Sequence, residues 1–243
     1  MISSESPFRR LPIDVPRRQI LYLDAFRLSA EMAGIAFLRL ENVLIELMKK
    51  RNDEPLGDRA VRALTDAYAV IDSAHRFREV LNATPGIVHN TEFDLFMRRT
   101  ESVKELRHTV QHLNREIDAI ARACESAFGT ITWFGPPSVT GGFFTAWTLN
   151  AGTMYPDHAS FGPTIDLQQP PVVERIGEIF LRSAGTSMNL SKLTLDMRQF
   201  IVGIEPGLEK HAENKKHFGS DQLVCLSFAP AHAPNATPPE SHN

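Results

Sequence analysis

A chain of 243 residues is long enough for one large domain or a domain with an appended subdomain, and either can bury a substantial core. Its 26 Lys and Arg stand against 29 Asp and Glu, and the formal net charge of −3 excludes a globally basic surface. That disfavours nonspecific duplex-DNA binding driven by counterion release, while a local basic groove stays open. Two cysteines, Cys124 and Cys225, cannot build a zinc site alone. With no apolar signal region and no run of about 18 apolar residues, the expectation is a cytoplasmic protein without membrane contact, cofactor or metal.

Residues 1–16, rich in proline, serine and arginine, predict a flexible N-terminal arm or a strap. From about Arg17 to Lys50 the apolar positions Ile20, Phe26, Ile35, Leu38, Leu40, Val43, Leu44, Leu47 and Met48 return at helical spacing. Asn52 to Gly57 is a turn. A second helix is expected over about Asp58 to Asn82, its stripe Val61, Leu64, Tyr68 and Ile71 leading to His75, which is followed by Arg76, Phe77 and Arg78. Thr84-Pro85-Gly86 ends it, and Ile87 to Glu92 reads as a loop.

The stretch Arg98 to Phe128 predicts the central helix, one stave of a bundle. Val103, Leu106, Val110, Leu113, Ile117, Ile120 and Cys124 recur at spacings of three and four, and neither Pro nor Gly intervenes before Gly129. Thr100, Ser102 and Glu105 offer N-capping chemistry, with an earlier start near Glu92 as the alternative. His108 and His112 share a face roughly opposite the stripe, Glu116 lies one turn on, and Arg107 sits at the stripe's edge near Asn114. Arg107 and His112 diverge by about 140° on an ideal helix. They meet only across a groove, through the long arm of Arg107, or across a dimer interface.

Beyond Gly129 the composition changes. Ile131 to Phe134 and Phe143 to Trp147 predict strands, and Glu178 to Arg182 with Thr186 to Leu190 predict a hairpin about Ala184-Gly185. Ser191 caps a last helix reaching about Asn214, kinked or broken at Pro206-Gly207. Val224 to Phe228 reads as a final strand, and residues 229–243 as a disordered tail. The fold class is α+β: a long-helix bundle over residues 17–128, with a β-containing region, residues 129–228, packed on it.

Arg107-His108-x-x-x-His112 resembles the signature of the HEPN superfamily, an Arg followed by a polar residue, a short spacer and a His. The surrounding Leu106 to Leu113 is also similar to uncharacterised bacterial proteins in which a His-Arg-Phe-Arg element precedes it, here His75-Arg76-Phe77-Arg78. The resemblance covers residues 17–128. It implies a helical bundle acting as a homodimer, and either a metal-independent ribonuclease or an RNA-binding relative. In that reading His112 is acid or base, Arg107 clamps phosphate oxygens, His108 orients or assists, and His75, Arg76 and Asn114 are binding residues.

The same residues have a structural reading. Arg107 then flanks the stripe and pairs with an acid such as Asp72, the outward histidines are solvated, and His75 is a buried core histidine. His108, His112 and Glu116 at spacings of four also suit a divalent metal, though the Glu of a zincin-type motif and a distant ligand are missing. The alternative function is a noncatalytic oligomerisation or partner-binding protein.

Overall fold

The first long helix, α1, runs from Arg17 to Met48, 32 residues without a proline. It buries Leu23, Phe26, Ala33, Ala36, Leu40, Val43, Leu44 and Leu47 along one side. Its main partner is α2, Arg59–Ala83. Alanines at 60, 63, 67 and 74 on α2 face the core and let the two backbones approach closely. The expected stripe of α2 is buried at Leu64 and Ile71, but Val61 is 65% exposed, and the core side also takes in Val70, Phe77 and Leu81. In this computed structural model the described residues are 2–49, 55–122, 125–135, 145–152, 177–217, 219–221 and 223.

The central helix expected over Arg98 to Phe128 is two helices, and a third precedes them where the alternative start near Glu92 falls. α3 spans Thr91–Arg99, α4 Ser102–Gln111 and α5 Leu113–Arg122. The segment expected as a loop up to Glu92 ends at Asn90, whose side chain accepts the Phe93 amide at 2.9 Å and caps α3. α3 stops because Arg78 of α2 reaches its last turn. The Arg78 guanidinium donates to the Met97 carbonyl at 2.5 Å and to the Thr100 hydroxyl, and pairs with Glu101 at 2.8 Å. Those contacts take up carbonyl and side-chain groups at the α3–α4 junction. The second break lies at His112, with φ −119° and ψ 32°.

Residues 130–135 (β1), 145–150 (β2), 179–183 (β3) and 186–189 (β4) form an antiparallel sheet in the order β2-β1-β3-β4. The β3–β4 hairpin turns at Ala184 and Gly185, both at positive φ, as its two-residue loop requires. The chain enters the sheet through Gly129, where φ is +74° and a Cβ would collide with the Arg182 carbonyl oxygen. Asn189 rather than Ser191 caps the last helix, α6 (Leu190–Ala212), by accepting the Lys192 amide; the Ser191 hydroxyl accepts the Ile179 amide instead. Pro206 is accommodated inside α6.

Residues 17–128 are not a closed unit. α6 packs on α1 and α2, and Ile131, Trp133, Leu149, Ile179, Leu181 and Met188 of the sheet join the same apolar core as the helices. Of the two forms expected for residues 1–16, the segment takes the strap: Phe8 is 1% exposed and stacks near Phe26. Burying an aromatic ring is what fixes a stretch otherwise composed for flexibility. Among the described residues no helix is long and apolar enough to cross a membrane. The expected strand at Val224–Phe228, the tail at 229–243, both cysteines and the Phe143-Phe144 pair lie outside the described residues.

Candidate functional site

The residues singled out from the sequence come from two helices, and the fold brings most of them to one surface. α4 lies against α2 and against β4, where the Thr186 hydroxyl donates to Glu105 of α4 at 3.1 Å. Val103 and Leu106, both fully buried, set the rotation of α4 and place Arg107 at the α2 seam.

There Arg107 Nε donates to Asp72 Oδ1 at 2.9 Å, and Arg76, one turn along α2, donates to the other oxygen of the same carboxylate. Among the described residues the two terminal nitrogens of Arg107 carry no hydrogen bond, and its side chain is 31% exposed. One carboxylate is shared between the two guanidiniums, and Glu79, on the same side of α2 as His75, is a further acid near the patch. The anchor through Nε also fixes the plane of the fork, with its outer edge turned to solvent.

His75 lies beneath this group. Its ring is half-buried, Nδ1 is enclosed without a hydrogen-bond partner, and burial, followed by the Arg107 charge, lowers its pKa from the ordinary imidazole value. It is therefore a neutral ring at pH 7. The rest of the His75-Arg76-Phe77-Arg78 element divides its work: Phe77 stacks on Phe26 with centroids 4.2 Å apart, and Arg78 braces the α3–α4 junction.

His108 and His112 form a second pair, ring centroids 4.5 Å apart, the first exposed and the second half-buried. His112 closes α4, and its carbonyl accepts the Arg115 amide at 2.8 Å and the Glu116 amide at 3.2 Å as α5 begins. No hydrogen bond among the described residues joins Arg107 to either histidine or to Asn114, which is exposed in the first turn of α5. Among the described residues no group of three His, Cys, Asp or Glu could hold a metal ion, so Glu116 does not complete a ligand set with the two histidines.

Two surface hollows lie elsewhere, one between α1 and α2 and one under the strap. The sequence reading missed a second ionic cluster. Arg27, 2% exposed, donates to Glu31 at 2.9 Å and to Asp221 at 2.9 Å, and Arg9 reaches the same two acids. The i, i+3 and i, i+4 spacings of Arg27 with Asp24 and Glu31 were its local signals. No protein-family model matches this chain, and no curated protein or solved structure is significantly similar to it. The chemistry of the patch is read from its own geometry.

Proposed function

We propose that the chain is a HEPN-like RNA-binding protein that holds phosphate groups at the Arg107 patch. The observation that supports this is the anchored, half-open guanidinium: Arg107 is fixed by Asp72 through Nε and keeps its terminal nitrogens for an incoming anion. A phosphate with two nonbridging oxygens matches that fork, and Arg76 adds a second cation. Single-stranded RNA suits such a local patch on a chain of net charge −3 better than a duplex does, because few phosphates are engaged. Metal-independent cleavage is the further step of the same reading, in which His112 would exchange a proton at the ribose or the leaving oxygen.

The test is fluorescence anisotropy with a labelled single-stranded RNA in EDTA, followed by a gel of the same samples. Arg107→Ala is expected to weaken binding by about tenfold, the loss of one charge-assisted bidentate contact. Arg107→Lys should not restore it, because an ammonium lacks the fork. Equal binding by wild type and both variants would remove Arg107 from any RNA site. Products with cyclic-phosphate ends, absent for His112→Ala, would establish cleavage. The rival reading, a noncatalytic assembly protein, is favoured by the Arg107–Asp72 pair itself, which that reading expects, and by a different surface, on α1.

A further inference from the structure

α1 is apolar on two sides. The inner side meets α2, α6 and the strap. The outer side carries Leu21, Leu28, Met32, Ile35 and Leu38, each 44 to 59% exposed. On an ideal helix the first four fall within an arc of about 60°, with Leu38 flanking them. Five half-exposed side chains of this size leave on the order of 500 Å² of apolar surface in one strip, the upper end of what a monomer displays. We infer that a second copy of this chain covers the strip, the two α1 helices lying antiparallel about a two-fold axis beside Met32.

The sequence of α1 is self-complementary in that arrangement. An axis between Glu31 and Met32 sets Leu28 against the partner's Ile35, Asp24 against the partner's Arg39, and Arg17 against the partner's Glu46. A parallel pair would instead set each of these charges on its own copy. Arg17 is exposed, and the side chains of Asp24, Arg39 and Glu46 keep 37, 59 and 47% of their surface open despite the contacts they make within the chain. Exposed ion pairs of this kind select register rather than supply strength.

The same axis puts Leu21 over the partner's Asn42. An open groove between α1 and α2 lies at that point, lined by Arg39, Asn42, Glu46, Val61 and Arg62, with Val61 itself 65% exposed. A leucine from the second copy fills that groove and meets Val61. From residue 17 to residue 46 the contact runs roughly 40 Å along the helix. Over that length the strip, the groove walls and the flanking methylenes reach the roughly 800 Å² per copy that a stable interface buries. This inference is independent of the RNA reading, because Arg107 stands on α4, against α2 and β4.

The experiment is sedimentation equilibrium of the full chain at tens of micromolar, with RNA anisotropy on the same preparations so that the two proposals fail separately. The wild type is expected to be a dimer. Met32→Glu, which sets two carboxylates beside the axis, should raise the dissociation constant at least about tenfold with an unchanged circular-dichroism spectrum. Met32→Cys should cross-link copies on oxidation, which keeps the proposal testable if the Glu variant misfolds. Arg17→Glu and Glu46→Arg should each weaken the dimer several-fold and the double exchange should restore it, since the two positions cannot meet within one helix. A monomeric wild type, or a dimer indifferent to Met32→Glu, overturns the inference. So does a monomer that floats with phosphatidylglycerol vesicles through Met32, which would assign the strip to a lipid surface.

Discussion

Arg27 and Arg107 are both held by acids, and they are held differently. Arg27 is buried at the junction of α1, the N-terminal strap and the segment around Asp221, and its guanidinium meets Asp24, Glu31 and Asp221. Arg107 sits at the α2–α4 seam with a single acid, Asp72, which it shares with Arg76. In the first cluster the acids outnumber the arginines and the terminal nitrogens of both arginines are bonded, while among the described residues Arg9 Nε and Arg27 Nε are buried without a partner, so no open donor faces a ligand. In the second the terminal nitrogens of Arg107 are left over. An incomplete ion pair leaves donors that a ligand can use, whereas a completed one does not.

The contrast breaks most sharply on stability. Arg27→Ala removes a buried cation and leaves Glu31 and Asp221 to Arg9 alone, and should cost about 3 kcal/mol in urea unfolding. A loss of less than about 1 kcal/mol would mean that the cluster is as solvated as a surface pair. pH should separate the two regions next. The folded pKa of His75 lies below its ordinary value of 6.5, so its contribution is fully present above that value and is lost as pH falls through the lowered one. The groups facing it are Arg107, Glu79, Asp72 and Arg78. Melting temperature should fall between pH 7 and pH 5, and His75→Leu should flatten that fall; an unchanged slope would place the proton elsewhere. Asp221 is also lowered, chiefly by its hydrogen bond from Arg27, so the clasp should persist until pH falls below the usual carboxylate value of 3.8. The smallest effect is expected for Arg107→Ala, under about 1 kcal/mol, because its ion pair is partly exposed. A larger loss would make Arg107 a structural brace.

The helices and the hairpin were legible because their signals are local. The spacing of Leu40, Val43, Leu44 and Leu47 gives α1, and Ala184-Gly185 between two apolar runs gives the β3–β4 turn. The breaks in the central helix were not legible. The first depends on Arg78, 19 residues from the Met97 carbonyl it holds. The second, at His112, has neither proline nor glycine to announce it. The stripe itself misled in part: Leu106 is fully buried, but Ile117 on α5 is 45% exposed. The surplus of apolar positions on α1 was visible too, with Ile35 and Leu38 counted among its core, yet both face outward. Periodicity says that a helix has an apolar side and cannot say which of two such sides its own chain will cover. For the patch, the sequence supplied Arg107, His75 and the acid at position 72, and the fold supplied their meeting. Arg27 with Asp221 was out of reach, since nothing in residues 194 apart marks them as partners.

The strap has a consequence for how the protein is made. Ser6 bonds Glu205 at 2.6 Å, Asp14 bonds Lys215 at 2.8 Å, and Ile13 donates its amide to the Lys216 carbonyl at 3.0 Å. A ribosome delivers the first of each pair long before the second, so the strap must wait for residues 205–216 before it finds its place. During that interval Phe8 has no completed site, and the nascent bundle presents an open apolar seam where the strap and α6 will later close together. Chaperone demand on this chain should therefore persist until α6 and residues 213–216 have been translated.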